Sequence, residues 1–353
     1  MASTGLNFSN LTPDNGAIKD LKRLIFLAVT DPESLGKIFN FLPKQKHGEK
    51  VGFIGEFGMV GKASQGCNPT FGTSVLATSE KEWDIREWEV AEKICYKDLE
   101  GTVAQVAMRT NIADLTGTEY TDYILAPRLE LAIRKMLMRY AWFGDKAADT
   151  VTDGGNLLDS IDPAYFTLVD GFWKRLFTLA AATPDRRTTC AANAEQKAAM
   201  RQNYAAVDFL DALISDASTV LRQANGQLIY ITQALKDALD ADLKRNNKGS
   251  ELQWTALFDG ITETNYNGVQ MLAIPFLDEI IKGCETVSGG KAWNKPYRAL
   301  YTIKDDLLVG MESESEVADI QVWFNKDEQM NKILSKDKIG TLIADDNLVQ
   351  VGF

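Results

Sequence analysis

Residues 121–143, TDYILAPRLELAIRKMLMRYAWF, place the tightest constraint on what this chain can fold into. Leu129, Ala132, Ile133, Met136, Leu137, Tyr140 and Phe143 recur at three- and four-residue spacing, so a helix gathers them into one broad apolar stripe. Pro127 suits a first helical turn, where its missing N–H is not needed, and Gly144 suits the position after the last turn. A stripe this wide has to be covered, so the spacing predicts a core helix. Its opposite face carries Arg128, Arg134, Lys135 and Arg139, which pair locally with Glu130, bridge to a second copy, or touch an acidic partner or DNA.

The elements around that helix are mixed. Residues 15–29 hold Ile18, Leu21, Leu24, Ile25 and Ala28 at helical spacing behind Asn15, and Asp31-Pro32 opens a second short helix carrying Leu35, Ile38, Phe39 and Leu42. This arm has apolar faces and must pack on its own body or on a neighbour. Glycines at 52, 55, 58, 61, 66 and 72 are too frequent for a regular element and predict an extended segment. Residues 80–108 alternate apolar and charged positions, with a slip of phase after Ile85, and predict a strand ribbon with a bulge. Trp83 and Trp88 on that ribbon are candidate interface anchors, whereas Trp142, Phe143, Trp173 and Phe177 fit a core.

From 151 to 311 helices alternate with strands: helices over VDGFWKRLFTLAA, AAVDFLDALISDASTVLRQ and QALKDALDADLKR, the last capped by Thr232, and strands at 227–232, 267–275 and 296–303. Period-two alternation at Ile320, Val322 and Phe324 returns the chain to strands. The whole predicts an α+β protein.

Catalytic chemistry finds little to work with. The only histidine, His47, sits in the polar loop KQKHGEK and reads as solvated, which leaves a Ser-His-Asp or Cys-His arrangement without its base. The four cysteines are far apart, so a zinc site lacks ligands, and they read as reduced core residues. GMVGK at 58–62 resembles a phosphate loop only loosely, since Ala63 follows Lys62 and the first glycine is misplaced, and the glycines at 52, 55, 58 and 61 do not make the dinucleotide fingerprint. Asp305-Asp306, Asp345-Asp346 and ESESE at 312–316 read as solvated turns. No cofactor, metal or membrane span is expected. A net charge of −11 argues against tight binding of nucleic acid and leaves room for weak, non-specific contact.

In order, an apolar arm, a glycine-rich lead into a charged ribbon, a long helix, a mixed domain and closing strands resemble the Hong Kong ninety-seven fold of tailed-phage major capsid proteins. The segments TDYILAPRLELAIRKMLMRYAWFGD, YNGVQMLAIPF and KPYRALYTIKDDLLVG carry the likeness, which is to capsid proteins of phages and prophages of gut Bacteroidales-type hosts. The resemblance implies an N-terminal arm over 1–50 and an extended loop over 51–110. It implies a peripheral domain with its spine helix over 111–150 and 316–353, and an axial domain over 151–315. It further implies hexamers and pentamers closing into an icosahedral shell around double-stranded DNA, with scaffolding and portal partners, in a virion assembled in a bacterial cytoplasm. Because the chain starts close to the arm, it also implies a separate scaffold or a processed product. Trp83, Trp88, Arg128, Arg134 and Arg139 are then candidate contacts between subunits. The rival readings are an encapsulin-like compartment, an α/β enzyme acting on a phosphorylated substrate through the glycine-rich loop, and a tail or decoration protein.

Overall fold

The chain is described here from a computed structural model in residues 36, 38–57, 63, 76–94, 126–194, 199–246, 252–257, 260–286, 295–311, 321–325 and 330–353. The helix expected over 15–29, the glycines from 58 to 72, ribbon residues 95–108, Cys67, Cys95 and Ile320 lie outside the described residues. The first elements are β1 (Asn40–Leu42), β2 (Lys50–Phe57), β3 (Leu76–Glu82), β4 (Arg86–Ile94), α1 (Ala126–Phe143) and α2 (Phe172–Ala182). There follow β5 (Arg187–Thr188), α3 (Ala205–Ser215), α4 (Thr219–Gln223), β6 (Gln227–Thr232) and α5 (Gln233–Asn246). Next come β7 (Thr255–Ala256), β8 (Thr262–Tyr266), β9 (Val269–Ile274), α6 (Pro275–Gly283), β10 (Ala299–Ile303) and β11 (Leu307–Gly310). The last strands are β12 (Gln321–Asn325), β13 (Met330–Ile343) and β14 (Gln350–Gly352).

Seven strands form a mixed sheet in the order β5-β14-β10-β6-β9-β8-β7. Its inner strands alternate side chains between two cores, as a pleat requires. Leu228, Tyr230, Leu272, Ile274 and Leu300 face the core of α1, α2 and α6, while Ile229, Ile231, Met271, Ala273 and Tyr301 face that of α3 and α5. With both faces covered, these strands read as continuous apolar runs. Parallel strands β6 and β9 are joined through α5, and β8 meets β9 at Asn267-Gly268, whose positive φ values fit a two-residue hairpin turn. Asn267 and Gly268, expected within a strand, therefore form its turn.

The second sheet runs β1-β11-β13-β12, with β4 also paired to β13. Its longest strand, β13, binds β4 from Asn331↔Ile94 to Ile339↔Arg86. The predicted ribbon is thus divided: β3 belongs to a hairpin with β2, and β4 joins the closing strands. The phase slip after Ile85 marks this break, since Trp83 and Ile85 are buried on one side of it and Trp88 on the other. Leu42, expected in a helix, lies in β1, which pairs in parallel with β11 from Asn40↔Leu308 to Leu42↔Gly310.

Three helix expectations are corrected. In α1, Ala132 is exposed while Met138, Ala141 and Trp142 are buried, so the last turns are covered on nearly every side. The single helix expected over 205–223 is two, because Ser218 turns its side chain to cap Leu221 N–H and starts α4 afresh. Helix α6 was not anticipated, although Pro275 stands at its first turn.

Helix ends are joined by buried carboxylates from other elements. Asp278 of α6 accepts from the N–H groups of Gln233 (2.5 Å) and Ala234 (2.9 Å), capping α5. The expected cap, Thr232, adds a long bond of 3.4 Å from Leu235 N–H. Asp242 of α5 in turn accepts from Tyr204 (3.0 Å) and Ala206 (3.2 Å), capping α3, whose own cap residue Tyr204 is left-handed and offers no side-chain bond. Where α1 ends and α2 begins, two glycines meet: a Cβ on Gly144 would fall 2.2 Å from Val169 O, and one on Gly171 2.7 Å from Gly144 N.

Asp242→Ala strands the buried Ala206 N–H and the half-buried Tyr204 N–H and is expected to cost about 1–2 kcal/mol. Gly144→Ala must move backbone and is expected to cost about 3 kcal/mol or more. Both are checked by urea denaturation, where the midpoint falls.

Candidate functional site: the hairpin root and its cleft

Strands β2 and β3 form a two-stranded sheet of their own, paired from Lys50↔Glu82 to Phe57↔Leu76. An isolated two-stranded ribbon has little stability in water, so its anchorage decides where it points. That anchorage is concentrated in residues 81–84. The backbone of Trp83 donates to Glu49 O and accepts from Gly48 N–H, each at 2.9 Å. Its indole is fully buried with Ile85, Leu308 and Leu342, and it lies so close to Gly310 that a Cβ there would be 2.8 Å from the ring. Lys81 donates to Ile343 O (2.7 Å) and to Asp346 Oδ1 (2.6 Å). Asp84 gathers Lys146, Arg86 (2.9 Å) and His47 (3.5 Å). His47 is exposed, as expected of its loop, and has this carboxylate as partner.

A cleft of about 510 Å³ opens between the root, α2 and β13, walled by Lys81, Glu82, Lys174, Arg175, Thr178 and Asp346. Its cations already have acceptors. Lys174 pairs with Asp145 at 3.3 Å, and Arg175 Nε donates to Asp170 O and Thr341 Oγ1 at 3.1 Å. Burial lowers the Arg175 pKa and Asp170 opposes that shift. A mixed-charge wall of this kind offers no concentrated positive site to a phosphorylated substrate. Among the described residues no group of three or more His, Cys, Asp or Glu is placed to hold a metal, and no helix is long and apolar enough to cross a membrane.

The candidate contact residues do not share one surface. Trp83 (0% exposed) and Trp88 (3%) are inside this chain's own cores, so they mount strands instead of presenting indoles to a neighbour. Arg139 donates to Tyr165 O (3.0 Å) and stacks on the rings of Tyr140 and Tyr165; Tyr165 is itself exposed. Arg134 is half-buried on the same helix, and Lys135 pairs with Glu279 at 3.0 Å. The side chains of Arg128 and Glu130 lie outside the described residues.

Two buried charges escaped the sequence reading. Arg298 and Glu285 form a fully buried pair at 2.5 Å, with the guanidinium 5.4–5.7 Å from the rings of Phe143, Trp173 and Phe177. Burial raises the Glu285 pKa, with Arg298 opposing. No neighbouring motif marks either residue, since the partner is set by the fold. The other is Asp306, expected in a solvated turn and found 1% exposed, accepting from Asp345 N–H at 2.7 Å. Burial lifts its carboxyl to about 7, with Asp345 and Asp346 adding to the shift and the Asp345 N–H and Lys81 opposing it.

Geometrically, then, the chain is an α+β body with a separate mounted hairpin, and this is a fold it shares with phage capsid chains. Particular solved structures make the likeness specific. A chain of the satellite phage P4 procapsid that includes the size determination (Sid) protein superposes with a TM-score of 0.50 at 11% identity, over 95% of this chain and 98% of that one. A chain of Gordonia phage Cozz gives 0.52 at 12% identity over 91% and 85%. The capsid of the native GTA particle gives 0.52 at 9% identity over 91% and 89%. No protein-family model matches the sequence, and no curated protein does.

Two predictions follow from the buried charges. Removing one partner alone, as in Glu285→Leu, is expected to cost about 3–5 kcal/mol, whereas Glu285→Leu with Arg298→Met recovers most of it; a denaturation cycle over the four proteins checks this. A carboxyl that holds its proton more tightly folded than unfolded stabilises the fold at low pH. That contribution is complete below about pH 4 and fades as pH rises through about 7. Relative to Asp306→Asn, the wild type is expected to lose on the order of a few kcal/mol between those limits, read from urea midpoints.

Proposed function

We propose that this protein is a structural shell subunit, a phage major capsid protein of the Hong Kong ninety-seven type, with no catalytic role. Copies assemble through hexamers and pentamers into an icosahedral head that encloses double-stranded DNA. The observation that carries the reading is whole-chain likeness: 95% of this chain aligns with 98% of a chain from a phage procapsid, so the two share an architecture from end to end and not merely a common core. The likeness to the capsid of a GTA particle supports it independently.

Two features of the chain fit that role. Closed shells need a heterologous contact repeated around rings, and a hairpin standing apart from the body supplies a reach toward a neighbour. A chain of net charge −11 lines a DNA container without clamping the genome. On this reading 1–50 is the arm, 51–110 the extended loop, 111–150 with 316–353 the peripheral domain and 151–315 the axial domain. Arg128, Arg134 and Arg139 of α1 meet other copies. Scaffolding and portal proteins are partners during assembly in the bacterial cytoplasm, the product is a virion, and the host is a gut Bacteroidales-type bacterium.

The test is negative-stain electron microscopy with light scattering of the protein, purified alone and co-expressed with its neighbouring genes. Closed shells, or rings of five and six copies, are the expected result, and nuclease-protected DNA inside separates a head from a protein-cargo compartment. A stable monomer or dimer under both conditions sinks the reading.

A further inference from the structure

We infer that the root of the β2–β3 hairpin, and above all the seat of Trp83 on Gly310, sets the direction in which the hairpin leaves the body and so the curvature of the shell; this rests on the shell reading above. The hairpin pairs with no other strand among the described residues, so its angle is decided by what holds its root, residues 81–84 and Val51 of β2, which packs on the same cluster as Trp83. Those holds are of three kinds. Trp83 is buried against Gly310, Leu308 and Leu342 of the second sheet. Lys81 reaches the end of β13 at Ile343 O and Asp346, and Asp84 reaches Lys146 in the turn after α1. Three attachments within four residues leave a ribbon little freedom to tilt.

The lever is long relative to its mount. Eight residues of strand span about 26 Å. A Cβ on residue 310 would stand 2.8 Å from the Trp83 ring, against an ordinary carbon separation of about 3.5–4.0 Å. The indole must therefore retreat by about 1 Å, and a tilt at the mount grows along an arm about 26 Å long. Interfaces packed as densely as protein interiors do not absorb a shift of that size. Copies then meet at an altered angle, and the rotation relating one to the next changes. Gly310 and Trp83 are in this sense positioning residues, acting on the shell through the hairpin.

The experiment compares wild type, Gly310→Ala, Lys81→Met and Asp242→Ala, all assembled under conditions in which the wild type forms particles. Folding is followed by circular dichroism and melting, and particle diameter and form by electron microscopy. Gly310→Ala and Lys81→Met are expected to fold and to give shells of changed diameter, or open tubes and sheets. Asp242→Ala is expected to melt earlier and keep the wild-type diameter, since it loosens the first turn of α3 and removes none of the bonds that hold residues 81–84. If Gly310→Ala does not fold, Lys81→Met, which removes the bond to Ile343 O and the ion pair with Asp346 at the rim of the cleft, decides alone. Folded root variants with shells of wild-type diameter overturn the inference and leave the shell reading standing, as does a change of diameter in Asp242→Ala equal to theirs. A wild type that forms no particles overturns both.

Discussion

Trp142 is where the parts of this protein are tied together. Its ring, fully buried, lies 5.5–5.6 Å from those of Phe39, Phe172, Trp173 and Tyr230. Those four come from the lead into β1, from the start of α2 and from the middle of the large sheet, and Trp142 itself closes α1. Phe39 also packs on Phe172 at 5.4 Å, and Tyr230 donates its hydroxyl to Ile38 O at 2.6 Å. Burial pushes the Tyr230 phenol far up, so it stays a donor. Edge-to-face and tilted ring pairs are worth about 0.5–1.5 kcal/mol each beyond the area they bury. Four such contacts on one ring make the knot strong and, because ring geometry is specific, directional.

Around that knot the body is joined by polar groups that cannot be left unpaired. Asp278 holds the first turn of α5, and Asp242 on α5 holds the first turn of α3, so the orientation of each helix passes to the next. Because the N–H groups of Ala234 and Ala206 are buried, a helix that swung away would strand them at about 1–3 kcal/mol apiece. Asp145, with no exposure, does the same for the turn after α1, accepting from Ala147 N–H at 2.9 Å while Lys174 of α2 pairs with it. The result is a body whose helices are cross-linked through their ends as well as packed through their faces.

Much of that body was legible in the sequence. Pattern and punctuation agreed over 121–143, where stripe, Pro127 and Gly144 bracket α1 to within a few residues, and over QLIYIT, where an uninterrupted apolar run is a strand covered on both faces. The failures have physical causes. Helix α6 follows β9 without a loop, so its apolar residues extend an apolar strand and periodicity alone does not separate the two. The break between α3 and α4 depends on Ser218 accepting the Leu221 N–H three residues ahead, a choice that a continuing apolar stripe conceals. At the root the loss is more general. Lys81, Asp84 and Lys146 are ordinary polar residues in the sequence, Arg298 is one polar residue within a predicted strand, and Glu285 stands in no motif; each gains its role only from a partner brought up by the fold. The Trp residues of the ribbon were noticed for the right reason, as large anchors, but the surface they fill belongs to their own chain.

The magnitudes at the root then separate holding from aiming. A tryptophan buries about 150–250 Å², worth about 4–6 kcal/mol at 25 cal/mol per Å². The ion pairs of Asp84 and Lys81 are partly exposed, at 19% and 22%, and pairs of that kind contribute about 0–1 kcal/mol. Trp83 therefore supplies the attachment, while the charged groups add little energy and much direction, because each constrains a different side of the same four residues. A mount built this way tolerates thermal strain without detaching, yet returns to one angle. In the proposed shell that combination matters more than the strength of any one contact: a small bias in angle would be repeated at each junction and accumulate around a ring, whereas a small deficit in energy would be shared among all of them.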